Sequence, residues 1–158
     1  MTTVLSSART ELRNRNKLFD VFLGFDFLPA EPVIDMGIDF FLYREADEIF
    51  FAVQQKAIWT VERKYHSRNI WMVFGDDYDS GRQHWYLAPH DLMVQTALRD
   101  YGHNPTMKKP VSGKWETTMS NKLKSEFENF KLPDFLTGLN ASLFKELTQK
   151  SKVDWPQQ

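Results

Sequence analysis

The chain reads as an α/β domain built on one central sheet. Three observations predict this class: a helical pattern over the first 23 residues, a middle third of Phe-, Ile- and Val-rich runs separated by turn residues, and a return of helical signals beyond residue 90. At 158 residues with 42% hydrophobic content, the chain is long enough to bury a core as a single domain, 1–158. No repeat, low-complexity tract or Pro/Gly/Ser-rich linker divides it.

The elements follow in order. Residues 5–23 form a helix whose apolar side collects Leu5, Ala8, Leu12, Phe19, Phe22 and Leu23, while Glu11, Arg13, Asn14 and Lys17 are polar; Gly24 stops it. Phe25 to Pro32 is irregular or a short edge strand, because Pro29 and Pro32 cannot donate to a ladder. Met36–Tyr43 and Ile49–Trp59 are strands of an antiparallel hairpin, joined by the charged turn 44–48. The polar segment 60–69 leads to a buried strand, Ile70–Phe74. A turn over 75–81 returns the chain as a strand over His84–Ala88.

Helical signals then dominate. Asp91 is placed to cap a helix running through Asp100, and Gly102 ends it. Residues 103–113, with Pro105 and Pro110, read as a loop. Trp115, Met119, Leu123, Phe127 and Phe130 make an i, i+4 stripe that predicts core packing, and Asn140 caps a last helix carrying Leu143, Phe144 and Leu147.

Composition excludes several kinds of chemistry. The absence of cysteine removes disulfide scaffolds, cysteine zinc sites, iron–sulfur clusters and thiol nucleophiles. No window approaches 18 uncharged apolar residues, so no membrane span is expected, and the N-terminus lacks an apolar signal segment; the expectation is a soluble cytoplasmic protein. The formal net charge of −1 conceals a division: residues 1–50 carry 5 Lys+Arg against 9 Asp+Glu, whereas residues 51–158 carry 15 against 12. Bulk electrostatic coating of nucleic acid is excluded, but a local basic surface beside an acidic site is not.

The informative stretch lies in the hairpin. Side chains alternate along a strand, so Gln54 and Lys56 share a face, and Asp39 stands on the partner strand. In register, Asp39, Gln54 and Lys56 converge at one end of the sheet. Charged groups among Phe, Val and Ile need partners. A divalent cation on Asp39, with Lys56 facing a phosphate, would satisfy that need.

Asp39 followed by Gln54-Gln55-Lys56 resembles the PD-(D/E)XK nuclease superfamily in its Q-x-K form. The strand pair Ile70–Phe74 and His84–Ala88, entering a helix at Pro89-His90-Asp91-Leu92, is also similar to that family. The resemblance covers roughly residues 5–100 and leaves 112–150 as a helical C-terminal extension. It implies a restriction-endonuclease-like mixed central β-sheet flanked by helices, with extra C-terminal helices, and a crossover helix for which residues 60–66 supply two turns. It also implies Mg²⁺- or Mn²⁺-assisted hydrolysis of DNA phosphodiesters. Asp39, the backbone carbonyl of Gln55 and Glu11 of the first helix would hold the ion, since hard oxygen ligands suit these metals. Gln54 would offer an amide oxygen, and Lys56 would orient the attacking water and stabilise charge on the phosphate. By the same analogy a homodimer would address two strands.

Arg63, Lys64, His66 and Arg68 form a basic cluster downstream that suits phosphate tracking or a solvated face. Lys108, Lys109, Lys114, Lys122 and Lys124 make a second. Asp76, Asp77 and Asp79 do not form an EF-hand loop, because the position needing Glu is Ala88. His66, His84, His90 and His103 lack metal-helix spacing. A second reading keeps the fold without the chemistry: a non-catalytic nucleic-acid-binding or protein-interaction module in which Gln54 marks a lost metal site.

Overall fold

The computed structural model describes residues 4–76, 83–101 and 113–155. The turn beyond Asp76, Asp77 and Asp79, and the loop with His103, Lys108 and Lys109, lie outside the described residues. Helix α1 (Val4–Leu23) leads. Its buried residues are Leu18 and Phe22, and the Phe19 and Phe22 rings lie 5.0 and 6.2 Å from Phe40 of the sheet. Leu5, Leu12 and Leu23 are exposed, which corrects the apolar face assigned from sequence. The inward stripe is instead Arg15, Leu18 and Phe22, at i, i+3 and i+7, with Glu11 one turn earlier and exposed. The face that anchors the helix thus carries a charge towards one end of the sheet.

Strand β1 (Leu28–Ala30) is the short edge strand that Pro29 dictates, and it pairs antiparallel with β2 (Phe40–Arg44). β2 begins four residues later than the sequence pattern suggests, because residues 35–37 turn first. The Asp35 carboxylate accepts the Gly37 N–H at 3.0 Å, and Gly37 adopts a φ of +73°. β2 pairs antiparallel with β3 (Ile49–Lys56), with Phe40 opposite Val53 and Arg44 opposite Ile49. Arg44 locks the connection through two hydrogen bonds to Asp47.

The expected long strand through Trp59 breaks at Ala57-Ile58. The chain re-enters as β4 (Trp59–Glu62), which belongs to a separate two-stranded sheet, and a short 3₁₀ turn, Arg63–Tyr65, follows. The two helical turns expected over 60–66 are therefore absent. All four β4 residues are buried, and a continuously buried run of this length has no periodicity to distinguish strand from helix. β5 (Ile70–Gly75) then lies parallel to β3, and β6 (Trp85–Pro89) returns antiparallel to it. The central sheet is mixed, ordered β1-β2-β3-β5-β6.

Helix α2 (His90–Tyr101) leaves β6 directly. Asp91 does not cap it as expected; its carboxylate accepts the Ser67 N–H at 3.2 Å and meets His66 Nδ1 at 3.1 Å. Trp115 also departs from its helical reading, because β7 (Lys114–Thr117) pairs antiparallel with β4. The stripe then continues through α3 (Asn121–Glu126), capped by Ser120, and a 3₁₀ turn, Glu128–Phe130. After α4 (Asp134–Thr137), Asn140 caps α5 (Ala141–Lys150) by accepting the Leu143 N–H at 2.9 Å, as the sequence predicts.

Helices α4 and α5 close the α1 side of the sheet. The Trp71 indole stacks on Phe144 and Phe135 and meets Phe51 edge-on at 4.8 Å. Trp59 and Trp71 are both core residues, as expected. On the opposite face of β1-β2-β3, Leu28, Tyr43 and Phe50 sit side by side across three strands and remain exposed. No helix among the described residues is long and apolar enough to cross a membrane.

Candidate active site

The site forms where β2 begins and β3 ends. Asp39 precedes the β2 ladder: its N–H donates to Val53 O at 2.8 Å, and its carboxylate Oδ2 accepts the Gln55 N–H at 2.7 Å. A side chain thereby replaces the next backbone partner, which fixes Asp39 against β3. Gln54 lies on the same pleat face, buried, with its amide 3.5 Å from the Gln55 carbonyl. Gln55 points the other way, towards α1. Its amide nitrogen donates to Glu11 O at 3.3 Å, and its amide oxygen accepts from Arg15 Nε at 3.2 Å.

Arg15 was not among the residues expected from sequence. Its guanidinium hydrogen-bonds Glu11 at 2.9 Å and lies 3.8 Å from both Asp39 and Glu31. The arrangement sets the acidity of Asp39. Burial pushes its carboxyl above the ordinary carboxylate value and the Glu11 charge adds to this; the Gln55 N–H and the charges of Arg15 and Lys56 oppose it without cancelling it. Glu11, Arg15, Gln55 and Asp39 thus form one connected group.

Lys56 is near enough for its charge to act on Asp39, yet its ammonium is held elsewhere. Nζ lies 3.1 Å from Glu62 Oε1, and Lys64 Nζ lies 3.1 Å from Glu62 Oε2. Burial alone would raise the Glu62 carboxyl, but hydrogen bonds from Lys56 and Lys64, with their charges, hold it below the ordinary value. Glu62 was also missed in the sequence. It stands six residues past Lys56 in a stretch with helical expectations, and only the β4 strand geometry brings it back.

The members of the basic cluster each have a partner of their own. Lys64 serves Glu62 and lies 5.0 Å over the Tyr65 ring. His66 pairs with Asp91, and Arg68 donates to the Met36 and Lys64 carbonyls. Arg63 is exposed, with its backbone N–H on Gly113 O at 2.7 Å. A cleft of about 670 Å³ beside Asp91, lined by Ser67, Asn69, Thr148 and Ser151 among others, contains none of Asp39, Gln54 or Lys56.

Among the described residues, no group of three or more His, Cys, Asp or Glu side chains gathers to hold a metal ion. Two of the expected donors, the Glu11 and Asp39 carboxylates, share the Arg15 guanidinium as a partner, at 2.9 and 3.8 Å. A buried carboxyl kept above its ordinary value beside a second carboxylate fits an added positive charge. Comparisons of this chain with protein-family models, with curated proteins and with solved structures found no match.

Proposed function

We propose that this chain is a metal-dependent nuclease of the restriction-endonuclease-like type that hydrolyses DNA phosphodiester bonds at the Asp39–Lys56 end of β2 and β3. One observation carries the reading: Asp39 is held at the junction of two strands, partly buried and against its ordinary acidity, within range of a lysine charge. Perturbed carboxylates of this kind cluster at functional sites. An α1 helix ahead of an antiparallel β2–β3 pair, followed by a β5 strand parallel to β3, supports the same fold reading.

Asp39, Glu11 and the Gln55 carbonyl would hold Mg²⁺ or Mn²⁺, which when bound supplies positive charge against the phosphate and makes water more acidic. Asp39 fixes the site's negative charge in one place through its bond to Gln55 N–H. Lys56 presents a cation to the charge that builds on the phosphate as water attacks. Gln54, being neutral, orients by hydrogen bonding and takes no proton. Arg15 balances Glu11 and Asp39 from the α1 side.

A second reading, the non-catalytic binding module, draws on the same Arg15: the protein itself already supplies a cation to both carboxylates. Plasmid and single-stranded DNA incubated with Mg²⁺ or Mn²⁺ distinguish the two. The nuclease reading expects nicking that EDTA stops and Lys56→Ala lowers by about 100-fold or more. Gel-shift binding of uncut DNA by the wild type would favour the module instead.

A further inference from the structure

We infer that Glu62 is a positioning residue for Lys56, supplied to the end of β3 by β4 of the second sheet. The inference rests on the nuclease reading above. Its basis is the way Glu62 is held. β3 ends at Lys56, the chain bends at Ala57-Ile58, and β4 departs into a second sheet, so that Glu62 approaches Lys56 from outside the central sheet. The backbone of Glu62 is pinned on two sides: its N–H donates to Nε2 of the buried His90 at 3.1 Å, and Lys114 of β7 lies opposite it. The side chain is only 11% exposed.

A carboxylate this enclosed must be paired, and each of its oxygens has a lysine. The two lysines differ. Lys64 is 62% exposed, whereas Lys56 is 24% exposed, and Lys56 Nζ also lies 5.7 Å from the Tyr65 ring centroid. A free lysine stem samples many rotamers, and its ammonium would meet a phosphate in only some of them. Held by Glu62 against Tyr65, the Lys56 ammonium is in place before substrate arrives, and pre-placement of this kind lowers the barrier to the chemical step rather than the cost of binding.

The experiment compares wild type, Glu62→Gln and Glu62→Asp in steady-state cleavage of one DNA substrate, with circular dichroism to check folding. Glu62→Gln keeps the shape and loses the charge. Its kcat should fall by about 10-fold or more, the scale of a displaced catalytic group, while KM changes less than about 2-fold. Glu62→Asp keeps the charge one methylene short and should recover part of kcat; it also carries the test if Glu62→Gln does not fold. Unchanged kcat in either folded variant, or a loss confined to KM, would overturn the inference while leaving the nuclease reading intact. A wild type that does not cleave overturns both.

Discussion

Asp39 and Glu62 are both partly buried acids, yet their surroundings push them in opposite directions. Glu62 has two ammonium partners and is held below the ordinary carboxylate value despite its burial. Asp39 is raised, chiefly by burial, with too little compensation from Gln55, Arg15 and Lys56. A carboxyl raised on folding contributes stability that is fully present below its unfolded value, near 3.8, and is lost as pH climbs through the higher folded value. At neutral pH the ionised Asp39 therefore costs the fold stability. Asp39→Asn keeps an oxygen for the Gln55 N–H and removes the charge. It is expected to melt at a higher temperature than wild type at pH 7, with the gap closing as pH falls below about 4, and to lose about 100-fold or more in cleavage. Thermal melts across pH, beside the nicking assay, check both halves. Equal melting temperatures at pH 7 would mean that Asp39 is not strained. For Glu62 the sign reverses: its contribution is present above the unfolded value and lost as acid protonates it.

The elements carry these residues only because specific turns place them. Gly37 combines two constraints: its φ is +73°, and a Cβ there would lie 3.2 Å from both Tyr65 Cε1 and Arg68 Nη1. Gly37→Ala should cost about 1–2 kcal/mol from the left-handed backbone alone, with more from the contacts. It should also depress cleavage beyond that loss, since Asp39 follows two residues later, just ahead of β2. Urea unfolding and nicking on the same preparation separate the two effects. The hairpin was legible because Phe40–Tyr43 and Ile49–Val53 are β-rich and flank a charged turn, and the alternation rule placed Gln54 and Lys56 together. Three features were not legible. The α1 face was misread because Leu5 and Leu12 are apolar but outward, while Arg15 is charged but inward. β4 was hidden because four buried residues show no period. Trp115 joined a helical stripe by spacing alone, although its partner strand lies more than fifty residues away.

Long-range pairing of that kind decides what the whole molecule is. Residues 113–155 do more than append helices to the central sheet. β7 completes the sheet that holds Glu62, Leu132 N–H donates to Trp85 O at 2.8 Å, and Arg44 reaches across the molecule to Leu139 O at 2.9 Å. Phe135 and Phe144 cover Trp71 on the central sheet, and Phe127 packs edge-on against Phe74 at 5.9 Å. On the α2 side, Arg99 bridges to Glu126 of α3, and Lys122 of α3 meets Asp100, whose carboxyl its hydrogen bond to Arg99 and the neighbouring Glu126 and Lys122 hold down to about 2. Removing everything after residue 112 would expose Trp71, Phe51 and Phe74 together. Loss of a single large buried aromatic costs about 3–5 kcal/mol, and a domain of this size has about 5–15 kcal/mol in all. The truncated chain is therefore expected to show no cooperative melt, while the full chain unfolds in one transition seen alike by far-UV circular dichroism and tryptophan fluorescence. A truncated chain that melts cooperatively would make residues 1–112 a domain in their own right. The Lys56–Glu62 pair would then have to persist without β7, and the support that β7 gives to Glu62 would be dispensable.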